Sequence, residues 1–482
     1  MYRKKLLFIP LLFLIIGAQS QDRWSLRKCV DYARQNNISV KQMQLQAEQS
    51  DINYKQSVLS KFPSLNFSNT DGFRYGKSQN PSTGILENQN YFSIGLNLQT
   101  NAEIFNFFSK KNTILANKWS LEAAKASVDK AQNDISLTVA NAYLQILLAN
   151  EQQEIADVQV KQSISQLDLI KKQVKAGALP ELNATEIESQ LATDSSNLIS
   201  AIGNVKQTKY ILKSYLNLDA GLPFEIEEPK VDQIPVEDIG DLQPESVYTS
   251  ALANQPQQRV NDFNLKAAEK NALAAKGALY PSVSAFGSLG SNYGYFKTPV
   301  FEQVLSGYSS SGLVISDGQG GYVDVQRPVF VNGAKSGYIK SQGLGDQFSN
   351  NFGQQVGLSI SVPIFNGGQA KAVYQRSKLA IKNIEYQKDL DNKTLKQDIY
   401  QAYNSAAVAL EKFTSSRRAV ESAQKSFDFA TKRYNVGMLS TLDLITTQNN
   451  LLRSKLEYVS NHFDYVFRMK VLEFYRGIEL KL

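Results

Sequence analysis

Apolar residues along the last third of the chain recur at alternating spacings of four and three, skipping some polar positions: Ile399, Tyr403, Ala406, Leu410, Phe413, Val420, Phe427 and Tyr434. A seven-residue repeat of this kind predicts a helix supercoiled left-handedly against partner helices. Neither proline nor glycine interrupts Ala370 to Val436 or Ile104 to Ala176, so each stretch is expected to be one continuous helix. The 73 residues from Ile104 to Ala176 would reach about 110 Å. Turn signals follow both, Gly177-Ala178-Leu179-Pro180 and Gly437-Met438-Leu439-Ser440. Glycine suits the left-handed residue after a helix, and Pro180 suits the first turn of the next. Shorter helices are expected to return from Glu181 to Leu216 and from Thr441 to Tyr475, each about half the length of its partner. The stretches Ser25 to Ser60 and Glu245 to Ala278 supply the missing halves.

A second periodicity, of two, appears in Phe92-Ser93-Ile94-Gly95-Leu96-Asn97-Leu98-Gln99 and in Gln355-Val356-Gly357-Leu358-Ser359-Ile360-Ser361-Val362. These read as amphipathic transmembrane strands, with Ser64 to Phe73 and Ser282 to Gly290 as partners, giving four strands per chain. Phe62, Tyr75, Tyr91, Tyr280, Tyr293 and Tyr295 cluster near their ends and suit interfacial girdles. The competing picture is two soluble hairpins, which would need a further amphipathic segment to cover Ile94, Leu96, Val356 and Ile360; none is left over. Four strands cannot close a membrane barrel, for which about eight are the minimum. Closure therefore needs other copies, a dimer with eight strands or a trimer with twelve.

The two halves of the chain repeat each other. Ile104-Phe105-Asn106, Ala142-Tyr143, Gly177 and Tyr215 recur 260 positions later, whereas Ala33, Asn36 and Pro63-Ser64 recur 218 positions later. The change of offset by 42 places one insertion between Pro281 and Ile364. The expected organisation is a first repeat over 21–218, an acidic, proline-bearing linker over 219–244 and a second repeat over 245–482. The insertion within 291–354, like its shorter counterpart from Asp71 to Asn90, reads as an external loop. Asp317-Gly318-Gln319-Gly320-Gly321 bears a faint likeness to calcium loops, but a flexible surface turn fits it better.

Composition narrows the function. Arg3, Lys4 and Lys5, an apolar run from Leu6 to Ile16 and Ala18-Gln19-Ser20 make residues 1–20 an export signal. Its removal takes the formal charge from +7 to +4, which leaves no case for a nucleic-acid partner. No other run is apolar enough for a spanning helix, so a membrane is crossed as β-structure. Cys29 is the only cysteine and His462 the only histidine. The former reads as a packed helical residue rather than a lipid anchor. With no metal-ligand spacing and no phosphate-binding glycine loop, neither a cofactor nor an enzyme is expected. A rival reading is a secreted or periplasmic coiled-coil structural or adhesin protein, all helical and not membrane-bound. A glycan-acting enzyme would need clustered acids, and 280–363 holds only Glu302, Asp317, Asp324 and Asp346.

The chain resembles the TolC-like outer-membrane factors over nearly its whole mature length. The residues that carry the likeness are Pro63-Ser64-Leu65, Pro281-Ser282-Val283, Val362-Pro363-Ile364-Phe365-Asn366-Gly367-Gly368, and Arg433-Tyr434-Asn435-Val436-Gly437 followed by Leu442-Asp443-Leu444. The resemblance implies a homotrimer in which three chains share one twelve-stranded outer-membrane β-barrel, set in outer-membrane lipid and continued by a periplasmic α-barrel of duplicated helix hairpins. It implies an exit duct for an efflux or type I secretion system. The partners would be a periplasmic adaptor (membrane fusion) protein and an inner-membrane RND or ABC transporter. It assigns the hairpin turns, with Gly177, Pro180, Gly437, Leu439 and Ser440, to the tip that meets the adaptor. It makes Tyr434 the tip tyrosine and Asp443 the pore-facing acid, with Val174 and Asn183 in their places in the first copy. Some members carry an arginine where this chain has Leu439. Ser440 with Asp443 also matches a helix capping box, and Tyr434 also continues the heptad seam.

Overall fold

The computed structural model describes residues 23–79, 86–295 and 297–478, and the expected export signal lies outside them. The described residues fall into two units: a helical unit within 1–54, 115–271 and 376–482, and a sheet unit within 55–114 and 272–375.

The helices come in matched lengths. Helices α1 (Leu26–Asn36) and α2 (Ile38–Leu59) have 11 and 22 residues. Helices α3 (Ser109–Lys175) and α4 (Glu181–Leu216) have 67 and 36. The second half repeats these lengths in α5 (Pro244–Asn254), α6 (Pro256–Gly277), α8 (Gln369–Asn435) and α9 (Thr441–Arg476). The half-length helices foreseen over Ser25 to Ser60 and Glu245 to Ala278 are thus each broken in two. In the second half the cause is Pro256, which holds Gln255 in an extended conformation (φ −71°, ψ 128°). In the first half Asn37 does the same work. Its side chain accepts from Ser39 N at 2.9 Å and donates to the Tyr215 carbonyl at 2.9 Å, while its backbone is extended.

The long first helix starts later than the sequence indicated. Ile104 and Phe105 end a strand, and Phe107 and Phe108 follow in the left-handed region at φ 47° and 61°. Gly367 and Gly368 take that conformation at the same register of the second half, φ 64° and 79°. Phenylalanine is strained there. Phe107 is held by stacking on Tyr280 at 4.6 Å and by Phe105 at 5.0 Å.

The core of the helical unit follows the heptad seam, with Ile399, Ala406 and Phe427 buried and the intervening seam residues half-buried. The largest cluster gathers Tyr143, Ile146, Leu212 and Leu216 with Phe224, Ile226 and Ile234 of the linker between the halves. Tyr143 fixes that linker by donating to the Glu227 carbonyl at 2.6 Å and lies 3.1 Å from the Trp24 carbonyl. Cys29 is fully buried in the same cluster, and burial pushes its thiol up to about 12. That position is incompatible with a lipid anchor.

In the sheet unit, β1 (Ser64–Gln79), β2 (Leu86–Phe105), β3 (Ser282–Tyr295) and β6 (Gly353–Ser361) form one antiparallel sheet in the order β1-β2-β3-β6. The first three run further than the sequence indicated. Register places Leu65, Phe67, Leu96, Leu98, Leu289, Val356, Leu358 and Ile360 on one face, and Ser68, Asn97, Ser288, Gln355 and Ser359 on the other. Among the described residues nothing covers the apolar face, where Val356 is 89% and Ile360 70% exposed. Phe73, Phe92 and Tyr295 form a cross-strand row at one end of the sheet, and Phe105 with Phe107, Phe108 and Tyr280 lies at the other.

The expected external loop within 291–354 is ordered. It holds a second, two-stranded sheet of β4 (Lys297–Ser316) and β5 (Tyr322–Lys340), then α7 (Leu344–Asn350). A mixture of serine, glycine and aliphatic residues on both faces hides the period of two. In the turn between the strands, the Asp317 carboxylate accepts from Gln319 N at 2.9 Å and Gly321 N at 2.8 Å. These bonds hold its pKa low, and they account for the Asp/Gly cluster without a cation. The shorter loop from Asp71 to Asn90 is also mostly strand, and its remaining connection lies outside the described residues.

Candidate functional site at the helix hairpin turns

Both helix-to-helix turns are built alike, 260 positions apart. Gly177 (φ 71°) donates to the Val174 carbonyl and Ala178 to Gln173; Gly437 (φ 77°) donates to Tyr434 and Met438 to Arg433, all at 2.9 Å. This pair of bonds requires a left-handed residue after the helix, which glycine supplies without strain. The next helices start differently. Pro180 precedes α4 without a side-chain cap, whereas Ser440 caps α9 by accepting from Asp443 N at 3.1 Å and donating to its carboxylate at 2.7 Å. Asp443 is exposed; among the described residues its carboxylate is hydrogen-bonded in that cap, and its carbonyl accepts from the Thr447 hydroxyl at 2.8 Å.

Leu179 and Leu439, at equivalent places in the turns, fold inward onto separate apolar clusters. Tyr434 packs against both clusters, and its hydroxyl lies 3.4 Å from that of Thr441. Asn183 donates to the same Thr441 hydroxyl at 2.6 Å. Thr441 is 1% exposed, so this hydroxyl joins α4 of the first half to α8 and α9 of the second in a dry setting. The sequence singled out Tyr434 and Asn183 but not Thr441, which reads there only as a residue of a helix's first turn.

A second polar tie lies two turns further along. Gln190 and Asn449 exchange side-chain hydrogen bonds at 3.1 Å each way, and Gln190 also donates to Asp194 at 2.8 Å. The fully buried Asp194 carboxylate further accepts from Ser163 at 2.6 Å and Gln159 at 3.3 Å. An exposed ion pair, Lys171 to Glu188, spans α3 and α4 at 2.5 Å. The outward face of the turns carries apolar side chains that sequence reasoning also missed: Leu182, Val436, Met438 and Leu442, each more than 60% exposed. Leu182 and Leu442 are 260 positions apart, the signal that would have found them.

Among the described residues no group of side chains is arranged to hold a metal ion, and no helix is long and apolar enough to cross a membrane. The profile of the family described as outer membrane efflux protein matches residues 29–218 and 326–465. The chain belongs to that family. Efflux protein BepC of Brucella suis biovar 1 (strain 1330) is 20% identical over 391 residues, 81% of this chain and 73% of its own. The solvent efflux pump outer membrane protein SrpC of Pseudomonas putida is 22% identical over 92% of this chain and 83% of its own. The crystal structure of the outer membrane protein VceC from Vibrio cholerae shares the fold, with a TM-score of 0.70 at 16% identity, covering 95% of this chain and 97% of that one. As an outer membrane efflux protein, the chain resides in the outer membrane, and the CmeC outer membrane channel of Campylobacter jejuni shares its fold. Both matched segments contain one of the two helix-to-helix turns.

Proposed function

We propose that three copies of this chain form one exit duct, a passive conduit from an inner-membrane pump and its periplasmic adaptor to the cell exterior. The observation that carries the proposal is the uncovered apolar face of a four-stranded sheet whose outer strands, β1 and β6, have no neighbour on one side among the described residues. Exposed sheet edges and an apolar face of this size demand partners and lipid. Three copies close a twelve-stranded barrel, and the aromatic rows at the two ends of the sheet suit its interfaces. The two repeats, 21–218 and 245–482, then act as equivalent staves of a periplasmic α-barrel, with 219–244 as the link between them. Energy comes from the pump, RND or ABC.

Leu182, Val436, Met438 and Leu442 offer the adaptor an apolar landing surface at the turns, together with the backbone of the Gly177 and Gly437 loops. The Thr441 hydroxyl, tied to Asn183 and lying beside the Tyr434 hydroxyl, holds the two hairpins together, and a ring of three Asp443 carboxylates gives the closed tip a preference for cations. Single-channel recording on Asp443→Ala tests the ring: the expected result is weaker block by divalent cations. Unchanged block and conductance would refute it. For the duct, a photo-crosslinker at Met438 should capture a periplasmic protein with long coiled-coil helices in intact cells. Capture of outer-membrane lipid alone would remove the adaptor from the account. A helical stalk is disfavoured by the same uncovered sheet.

A further inference from the structure

The β4–β5 ribbon is not explained by tube-building. Residues 297–325, which include all of β4, lie outside the segments that match the family. A two-stranded ribbon has no core of its own, yet this one is long and apolar on both sides. Register puts Leu305 opposite Phe330 on one face and Val304 opposite Val331 on the other. Toward the tip, Leu313, Ile315 and Tyr322 are 66%, 63% and 76% exposed.

Its edges are guarded where its faces are not. Pro299 and Pro328 lack the N–H that an added strand needs, and the register shifts at four places along the ribbon. Such edges resist open-ended strand addition, so an occupant must pack on the faces. Charge sets no barrier between identical ribbons, since Lys297, Arg327, Lys335 and Lys340 stand against Glu302, Asp317 and Asp324.

The root is fixed. One residue separates β4 from β3, and α7, which follows β5, is tied to β3 beyond Gly290, where the pairing with β6 has ended. There the Gln347 side-chain amide accepts from Gly294 N and donates to the Gly294 carbonyl, both at 3.0 Å, taking the place of a strand's peptide group. Ser291 donates to the Phe348 carbonyl at 2.8 Å and Asn351 to that of Asn292 at 2.7 Å. Three copies in a ring therefore root three ribbons at equivalent points on one rim. Four strands spaced about 4.8 Å apart and tilted about 40° put neighbouring roots ~25 Å apart along that rim. A ribbon of this length reaches about 50 Å or more, enough to meet its neighbour.

We propose that the β4–β5 ribbons of neighbouring copies pack face to face into a collar at the outer rim of the assembled channel. This rests on the three-copy reading above. The test starts from Cys29→Ala, which leaves the chain without cysteine, and adds one cysteine to each face, Leu305→Cys with Val331→Cys or Phe330→Cys with Val304→Cys, because in a ring of three one face of a ribbon meets the opposite face of its neighbour. Membranes are treated with a mild oxidant, and particle mass is measured in detergent. The expected result is three-chain particles with about half or more of the chains joined by interchain disulfides for at least one of the two pairs, and no such links for any of the four cysteines alone. Three-chain particles in which both paired variants stay monomeric and react fully with a membrane-impermeant maleimide would overturn the collar while leaving the duct standing. Particles of one chain would remove both. Replacing 297–340 with a short glycine-serine link should preserve three-chain assembly and lower the temperature at which it dissociates; an unchanged temperature would count against the collar.

Discussion

The Thr441 hydroxyl joins two residues, Asn183 and Tyr434, from opposite halves of the chain. A net hydrogen bond is worth about 1 kcal/mol, and leaving a buried donor unsatisfied costs about 1 to 3 kcal/mol. Thr441→Val keeps the shape and removes the polar atom, so it should loosen the tip by about 1 to 2 kcal/mol. Planar-bilayer recording would show a higher open probability; a closed state as stable as before would mean the tie does not restrain opening. Asn183 and Tyr434 were singled out only by the resemblance, through their register with the turn glycines. Thr441 was not, because a contact spanning 258 positions leaves no local pattern and threonine near a helix start has a sufficient local explanation. Asp443 was legible only as an alternative between cap and pore acid, and of these a single chain displays the cap.

His462 makes a second prediction at this scale. It stacks on Phe413 at 4.3 Å, and burial lowers its pKa below the ordinary 6.5, outweighing the opposite pull of Asp232 at 3.7 Å. Below pH 6.5 the unfolded chain therefore binds a proton that the folded chain resists, and stability falls as the pH is lowered toward the folded value. His462→Phe keeps the stack and removes the titration. Thermal unfolding followed between neutral and mildly acidic pH should show the wild type losing stability relative to the variant, whereas parallel curves would contradict the burial argument. Cys29 should resist maleimide in the native protein and react after unfolding in urea; prompt native labelling would place it outside the core.

At the scale of elements, the turns and helix lengths were the most legible, since heptads, glycines and a constant offset all act locally. The breaks at Asn37 and Gln255 were less so: Pro256 announces its break, but Asn37 acts through a bond to Tyr215 that only packing creates. The β4–β5 ribbon was read as a loop because neither of its faces is purely polar. The left-handed pair Phe107-Phe108 was invisible beside its glycine counterpart, although the alignment at offset 260 held the clue. Each turn glycine supports an unstrained left-handed conformation, so Gly177→Ala and Gly437→Ala should each cost about 1 kcal/mol. Chemical denaturation of the two variants should report similar losses, since the turns share one geometry; a loss confined to one of them would break the equivalence of the halves.

At the scale of the whole molecule, equal pairs of helices at 67 and 36 residues are what staves of one tube require, and the constant repeat offset is enough to predict that equality. The number of copies was not legible, because strand count alone permits eight or twelve strands, and the choice of three rests on resemblance. The open sheet edges and the uncovered apolar face turn that choice into a measurable one. The decisive measurement is the mass of the protein extracted from outer membranes, taken together with its conductance in a planar bilayer. Three chains per particle with a stable, cation-preferring conductance is the predicted result, and a single chain without conductance would contradict the account.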